Sequence, residues 1–308
     1  MEKGTTLSFD TIEDLNNYVK SDTKNHLVSV IDWSSYHAAL AEEDVKIYQG
    51  FYSVCLKFPK DFEKLSQEVK EGAGTPTVVV IPPEKTISRK ARREEMEFNL
   101  YILAFSPTLI KGSTFGRHIS EYTFMQYDIK ESLYPTEDEL DVMKSIFRRV
   151  DEELHHEEDR NTLHILTDQI KLILDHCLRF YDRQFTTRHS QNYQIAQEFL
   201  QNINLYLNSG MAKKMGVPSI SYFADLSHTS PGYFSDIIKK ETGVNIKKYL
   251  QYKIIEAAKQ MLSATDKPIN EIAEWLGFKY PQHFTRLFKH EAGMSPRDFR
   301  KQIKREQQ

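Results

Sequence analysis

Near its C-terminal end the chain says nearly the same thing twice. Ser230 to Val244 read SPGYFSDIIKKETGV, and fifty residues later Tyr280 to Met294 read YPQHFTRLFKHEAGM. Pro231/Pro281, Phe234/Phe284, Lys239/Lys289, Glu241/Glu291 and Gly243/Gly293 are identical, and Ile237/Leu287 and Ile238/Phe288 keep apolar character. Each copy follows a one-faced helical stripe: Ile220, Phe223, Ala224 and Ser227 in the first, Ile269, Ile272, Ala273 and Leu276 in the second. Proline opens the second helix of each copy, where its missing N–H costs no bond, and glycine ends it at the place of a left-handed cap. Two helix–turn–helix units on one body suit two successive grooves of a DNA duplex. The stripes are offset by 49 residues and the following helices by 50, so the second turn is one residue longer. At the turn itself the second copy has Gly277 and the first has His228, which tolerates positive φ less freely.

Between the copies, Ile246, Tyr249, Leu250, Ile254, Ala257, Ala258, Met261 and Leu262 fall at helical spacing with no Gly or Pro among them. About 17 residues at roughly 1.5 Å each make a rod of about 25 Å. Such a rod holds two wedges at a separation compatible with the roughly 34 Å recurrence of one groove. Repeats used purely as scaffolding come in three or more copies. Charge also favours nucleic acid: Met211 to Gln308 carry 17 Lys+Arg against 10 Asp+Glu, a net of +7, while the whole chain is −3. Residues 1–210 therefore carry −10, and only one part of the chain is suited to meet phosphate.

The stretch from about Asn192 to Lys304 resembles the DNA-binding domain of the AraC/XylS family of bacterial transcription regulators. Gly277, Phe278, Phe284, Phe288, Lys289, Gly293, Pro296, Phe299 and Arg300 carry the resemblance. It implies a seven-helix domain with reading helices at Ser230 to Thr242 and Pro281 to Ala292. By matching position it implies base-reading candidates Gly232, Ser235 and Asp236 in the first and Gln282, Thr285 and Arg286 in the second. Gln282 suits adenine and Arg286 suits guanine. Lys239, Lys279 and Lys289 are the phosphate candidates. Gly232 reaches nothing, and Asp236 is either repelled by phosphate or accepts from cytosine N4, so the second helix is expected to dominate base readout.

The front of the chain reads differently. LVSVIDW, FYSVCLKF, TPTVVVIPP, FNLYILAF and YTFMQYDI, between about Leu27 and Ile129, are strand-like, and their regular spacing suggests a sandwich or small barrel. The family resemblance implies a cupin-like jelly roll there. On alternation alone Tyr52, Val54, Leu56, Val78, Val80, Tyr101 and Leu103 face inward, where they line a pocket if the domain binds a small molecule and are otherwise simply core. Thr136 caps a predicted helix with an acidic first turn and an apolar face of Leu140, Met143, Ile146, Phe147 and Val150. A second helix, from about Asn161 to Tyr181, presents Leu163, Leu166, Ile170, Ile173, Leu174 and Cys177. The pair forms a helical hairpin that either dimerises, as the resemblance implies, or covers the sheet. Phe180 to Asn192 is polar and reads as a linker, Ile195, Phe199, Ile203 and Leu207 as the next helix, and Ser209 to Ser219 as a loop.

The expected fold class is therefore multi-domain α+β: an N-terminal mainly-β, cupin-like domain with a helical hairpin, then an all-α double helix–turn–helix domain. The expected domains are a sensor or dimerisation domain at 1–185 (β-rich to about 130, hairpin 136–182), a linker at 186–191 and a DNA-binding domain at 192–308. Within that last domain the helix–turn–helix units span 219–243 and 268–293. Cys55 and Cys177 read as buried free thiols of a reducing compartment, without zinc-ligand spacing. His155-His156 lacks a further ligand, and His26, His37 and His118 make no His-x-His metal set. RKARREEMEF, from Arg89 to Phe98, reads as a solvated loop of mixed charge. No nucleophile elbow or phosphate loop occurs, so no catalytic residue, metal, cofactor or enzymatic activity is expected. No run of 18 apolar residues and no signal core occur, so a cytoplasmic location is expected. Expected partners are double-stranded DNA, a second copy of the chain, a small-molecule effector, and RNA polymerase for an activator, with no membrane. The alternatives are a constitutive regulator whose front half only dimerises, and a cupin-type enzyme with an appended DNA-binding module.

Overall fold

The protein is described by a computed structural model, which places residues 5–34, 45–60, 75–89 and 98–306. His37 and residues 90–97 of the mixed-charge segment lie outside the described residues. The chain divides into two compact units, Met1–Thr187 and Arg188–Gln308.

In the first unit, β1 (Thr5–Phe9), β3 (Val45–Gln49) and β6 (Ile87–Arg89) form one sheet, and β2 (Val28–Asp32), β7 (Phe98–Phe105), β4 (Tyr52–Pro59) and β5 (Thr77–Ile81) form a second, in that order. The four-stranded sheet is antiparallel throughout, but β1 runs parallel to β3. Helix α1 (Ile12–Tyr18) begins at a capping box, in which Thr11 Oγ1 accepts from Asp14 N and Thr11 N donates to Asp14 Oδ2. It buries Ile12 and Leu15 with Phe9, Ile31, Trp33 and Ala104 in a core drawn from both sheets. Among the described residues, β1, β3, β6 and α1 are elements that the strand-like runs did not reveal, because each is short and weakly patterned.

One strand-like run is not a strand. Tyr122 to Ile129 carries short 3-10 turns at Thr123–Gln126 and, from Ile129, at Ile129–Glu131. Its aromatics are committed to helix packing instead of pairing: Phe124 stacks on Tyr181 at 5.1 Å and Tyr127 meets the same ring edge-on at 5.3 Å. Aromatic content raises β propensity only where a pleated surface is there to receive it. Two short helices precede this region, α2 (Pro107–Ile110) and α3 (Thr114–His118).

Helix α4 (Glu137–Leu154) starts at the expected cap, with Thr136 and Glu139 forming a capping box, and buries Leu140, Met143, Ile146, Phe147 and Val150. Helix α5 (Thr162–Thr187) buries Leu166, Ile170, Ile173, Leu174 and Cys177, whereas Leu163 stays 38% exposed. The two run antiparallel, because Arg183 near the end of α5 grips Glu139 at the start of α4 with two hydrogen bonds of 2.8 Å. The supposed linker is helical: α5 continues to Thr187 and the next helix starts at His189. Its polarity reflects an exposed helix face, with Phe180, Tyr181, Gln184 and Phe185 buried on the other side.

The face picked out by alternation is core and does not line the cavity. A cavity of about 600 Å³ lies between the two sheets, lined on β4 by Ser53, Cys55 and Lys57 and on β7 by Leu100 and Ile102. Val54, Leu56, Val78, Val80 and Leu103 occupy the opposite face and are buried to 4% exposure or less. That face meets the helices: Lys144 of α4 sits 4.6 Å over the ring of Phe58. Period-2 alternation separates two faces without saying which of two apolar coverings each receives. Both cysteines are free; Cys177 is buried as expected, whereas Cys55 is only part-buried where it lines the cavity, and desolvation pushes each thiol up to about 12.

The Glu139–Arg183 clasp ties the start of α4 to the end of α5, with Glu139 only 15% exposed and also completing the cap of α4. Arg183→Ala is expected to lower unfolding free energy by about 1–3 kcal/mol, the range for charged hydrogen bonds that leave a half-buried partner behind. Urea denaturation checks this, and a loss below about 0.5 kcal/mol would demote the clasp to an ordinary surface pair.

Candidate nucleic-acid interface

The second unit is helical throughout. It comprises α6 (His189–Asn208), α7 (Met211–Met215), α8 (Ile220–Leu226), α9 (Pro231–Thr242), α10 (Ile246–Ala264), α11 (Ile269–Trp275), α12 (Pro281–Ala292) and α13 (Pro296–Glu306). Besides the seven helices that the resemblance implied, the segment read as a loop contains the single-turn α7.

The two wedges are built alike. Helices α8 and α9 are separated by residues 227–230, and α11 and α12 by residues 276–280, so the second turn is longer by one residue. Each turn closes with the same backbone bond: Thr229 N donates to Ala224 O at 3.0 Å, and Phe278 N to Ala273 O at 2.9 Å. The residue before each donor is left-handed, His228 at φ 54° and Gly277 at φ 88°. Both reading helices start at proline and end at a left-handed glycine, Gly243 at φ 71° and Gly293 at φ 74°. Phe234, Ile237 and Ile238 are buried under the first, Phe284 and Phe288 under the second. Leu287, the counterpart of Ile237, is half-exposed.

The wedges are joined by α10, whose 19 residues span about 28 Å at 1.5 Å each. It buries Ile246, Leu250, Ile254, Ile255, Ala257, Ala258 and Leu262 and packs against α6, α9, α11, α12 and α13. A second joint lies at Gly277: a Cβ there would come within 2.4 Å of Gly216 C and 2.6 Å of Val217 N. Tyr206 of α6 donates to Gly216 O at 2.9 Å, and Trp275 of α11 donates to Leu207 O at 3.3 Å. The segment read as an open loop is thus a wall of the domain.

The candidate base-reading residues divide clearly. Gln282 and Arg286 are exposed, and neither side chain has a hydrogen bond or ion pair among the described residues. Thr285 is half-buried and turns its hydroxyl back to Pro281 O at 3.1 Å. Ser235, at the matching place in α9, does the same to Pro231 O at 2.6 Å. Gly232 and Asp236 are half-exposed. Lys239, Lys279 and Lys289 are exposed, with Lys279 lying 5.6 Å from the Tyr280 ring centre. Position matching overlooked His283 and His290, which are exposed at i−3 and i+4 from Arg286 and share its face. Tyr233, the counterpart of His283, is instead buried, with its hydroxyl 3.2 Å from Asn192 Oδ1 of α6.

This arrangement agrees with sequence comparison: a model described as a helix-turn-helix domain matches residues 223–302. Residues 223–302 therefore form a helix-turn-helix domain, similar to those of transcription regulators. It is 32% identical over 110 residues to the bifunctional transcriptional activator/DNA repair enzyme AdaA of Bacillus subtilis (strain 168), covering 36% of this chain and 51% of that one. It is 33% identical over 95 residues to the uncharacterized HTH-type transcriptional regulator YobQ of the same organism, covering 31% and 38%. Among solved structures, the C-terminal domain of the two-component response regulator yesN from Fusobacterium nucleatum shares 32% identity over 34% of this chain and 97% of that one, with a TM-score of 0.30. The chain spans about half or less of the length of these two curated relatives.

Gly277→Ala is expected to destabilise the helix-turn-helix domain by on the order of 3 kcal/mol, because it adds left-handed strain to a backbone clash. Gly243→Ala, with open space around its Cβ position, should cost only about 1 kcal/mol. Thermal unfolding of both variants measures the contrast, and equal losses would show that the close approach to Gly216 is dispensable.

Proposed function

We propose that this AraC-type DNA-binding transcription regulator recognises a specific operator chiefly through its second wedge and responds to a small-molecule signal through its first unit. The observation that carries the DNA part is the outward placement of Gln282 and Arg286 near the start of α12, on a frame braced by α10. Phosphate contacts from Lys239, Lys279 and Lys289 set affinity and register, and base-edge contacts supply specificity. Gly232, Ser235, Asp236 and Thr285 stay secondary readers in this proposal, since two are hydroxyls bonded to their own helix, one lacks a side chain and one is anionic. The domain limits proposed for this division of labour are 1–185 for sensing and 192–308 for DNA. No catalytic step, metal or cofactor enters it, and among the described residues no helix is long and apolar enough to cross a membrane.

The signal part is supported by the cavity between the two sheets, an arrangement compatible with a cupin-like sandwich apart from its parallel β1–β3 pair. The proposed assembly is a homodimer, with RNA polymerase as a further partner where the protein activates. Support for the dimer comes from α5, which leaves Leu163, Ile165, Leu172 and Leu178 between 38% and 40% exposed. Leu172→Glu is expected to shift the full-length protein from dimer to monomer in sedimentation velocity, whereas a monomeric wild type would remove the basis for the assembly.

Arg286→Ala should weaken operator binding by about 1–3 kcal/mol, roughly 5- to 150-fold, and relax the base preference at one position. Ser235→Ala should cost less than that. Lys289→Ala should lower affinity on all sequences and reduce the slope against log salt by about one. Titrations on an operator selected from random DNA at fixed ionic strength test all three. An equal or larger loss from Ser235→Ala would overturn the dominance of the second wedge.

A further inference from the structure

The cavity between the two sheets has a composition that selects among ligand chemistries. Strand register divides its wall into three rows along β4. Ser53, opposite Ile81, makes the first; Cys55, opposite Val79 and Ile102, the second; Lys57, opposite Thr77 and Leu100, the third. The facing sheet contributes the paired Ile47 and Ile87. Ser53 and Lys57 are four residue steps apart along the strand, about 13 Å.

The Ser53 row is polar but already satisfied. Ser53 Oγ donates to Gln49 Oε1 at 2.8 Å, and the Gln49 amide donates to Phe51 O at 2.8 Å, with both side chains at 5% exposure or less. The middle row offers a ligand only aliphatic side chains and a thiol that burial keeps protonated. A polyhydroxylated or multiply charged guest would exchange its hydrogen bonds with water for contact with Cys55, Val79, Ile102, Ile47 and Ile87, which return none. Of the described residues that line the cavity only Lys57 is charged, and its Nζ lies 4.0 Å from the centre of the Phe98 ring. A cavity of about 600 Å³ falls within the range that encloses a whole small molecule.

We propose that the cavity binds one apolar small molecule no longer than about 13 Å, uncharged along its body and carrying at most one polar or acidic group at the Lys57 end. The proposal deepens the signal-sensing reading above and rests on it for any effect on DNA binding. The neutral fluorescent probe N-phenyl-1-naphthylamine, titrated into the full-length protein, should bind saturably at one probe per chain. Cys55→Trp and Ile102→Phe, which fill the middle row, should weaken that binding at least tenfold while circular dichroism stays native. A readout that needs no variant is alkylation by N-ethylmaleimide followed by mass spectrometry: bound probe should slow labelling of Cys55 and leave Cys177 unchanged. Absence of saturable binding, undiminished binding in folded variants, or Cys55 labelling indifferent to the probe would each overturn the proposal. So would a rise in Tm with D-glucose or citrate but not with the probe, although signal sensing itself would survive that result. A probe that binds as described yet leaves operator affinity unchanged supports the ligand class and sinks the sensing role instead.

Discussion

The relative placement of the two reading helices depends on backbone meeting backbone at Gly277. Hydrophobic packing along α10 holds the wedges at the right distance, but side-chain packing alone tolerates small slides between helices. The approach of Gly277 to Gly216 leaves no room for even one methyl group, so it sets α11 against the wall formed after α6. Trp275 and Tyr206 pin the same wall from either side through bonds to the Leu207 and Gly216 carbonyls. A reader of two successive grooves needs this stiffness. Any hinge between its wedges would be ordered at the moment of binding, and the entropy lost would be subtracted from affinity.

On that common frame the two wedges have diverged in what they present. The first is backed by α6, which buries Tyr233 against Asn192, and its outward positions hold a glycine, a serine turned back on its own helix and an aspartate. The second is open at the equivalent place, so His283 joins Gln282, Arg286 and Lys289 on one exposed face. The repeat thus separates two tasks that one helix–turn–helix has to combine. In the proposed reading, one copy anchors the domain and follows the DNA backbone, and the other carries long donors for base edges. His228 fits the same division, since a left-handed non-glycine turn is tolerable where no close approach like that of Gly277 is demanded.

Much of the helical half was legible in the sequence because its signals are local. Pro231, Pro281, Gly243 and Gly293 mark their helix ends through conformational preferences that do not depend on distant residues. The capping box of Thr136 and Glu139 is equally self-contained. What stayed hidden depends on partners far along the chain. The aromatics of Tyr122 to Tyr127 look like strand residues until Tyr181 and Phe185 are in place to receive them. The polar stretch at 186–191 looks like a linker because one face of a long helix is exposed. The cavity face was missed for the same reason, since Cys55 and Val54 differ only in which layer later covers them. Among the candidate residues, Gln282 and Arg286 were named by position, whereas His283 was overlooked although its spacing to Arg286 puts it on the same face. The inward turn of Thr285 was not, because a hydroxyl bonded to its own helix leaves no pattern in the sequence.

The architecture of the first unit also constrains how a signal is able to act. The four-stranded sheet carries the cavity on one face and Val54, Leu56, Val78 and Val80 on the other, where α4 and the turns before it pack. A guest that merely fills existing space interacts equally with every state of the sheet and shifts no equilibrium, however tightly it binds. To influence the hairpin it must favour one spacing of β4, β5 and β7 over another. The residues able to transmit such a preference are the alternating pairs along these strands, Cys55 beside Leu56 and Val79 beside Val80, because a strand displaced on one face moves its neighbours on the other. Under the proposed sensing role, coupling between cavity and hairpin would be a property of sheet stiffness. Substitutions that soften the sheet without touching the cavity would uncouple binding from response, whereas substitutions lining the cavity would alter both together.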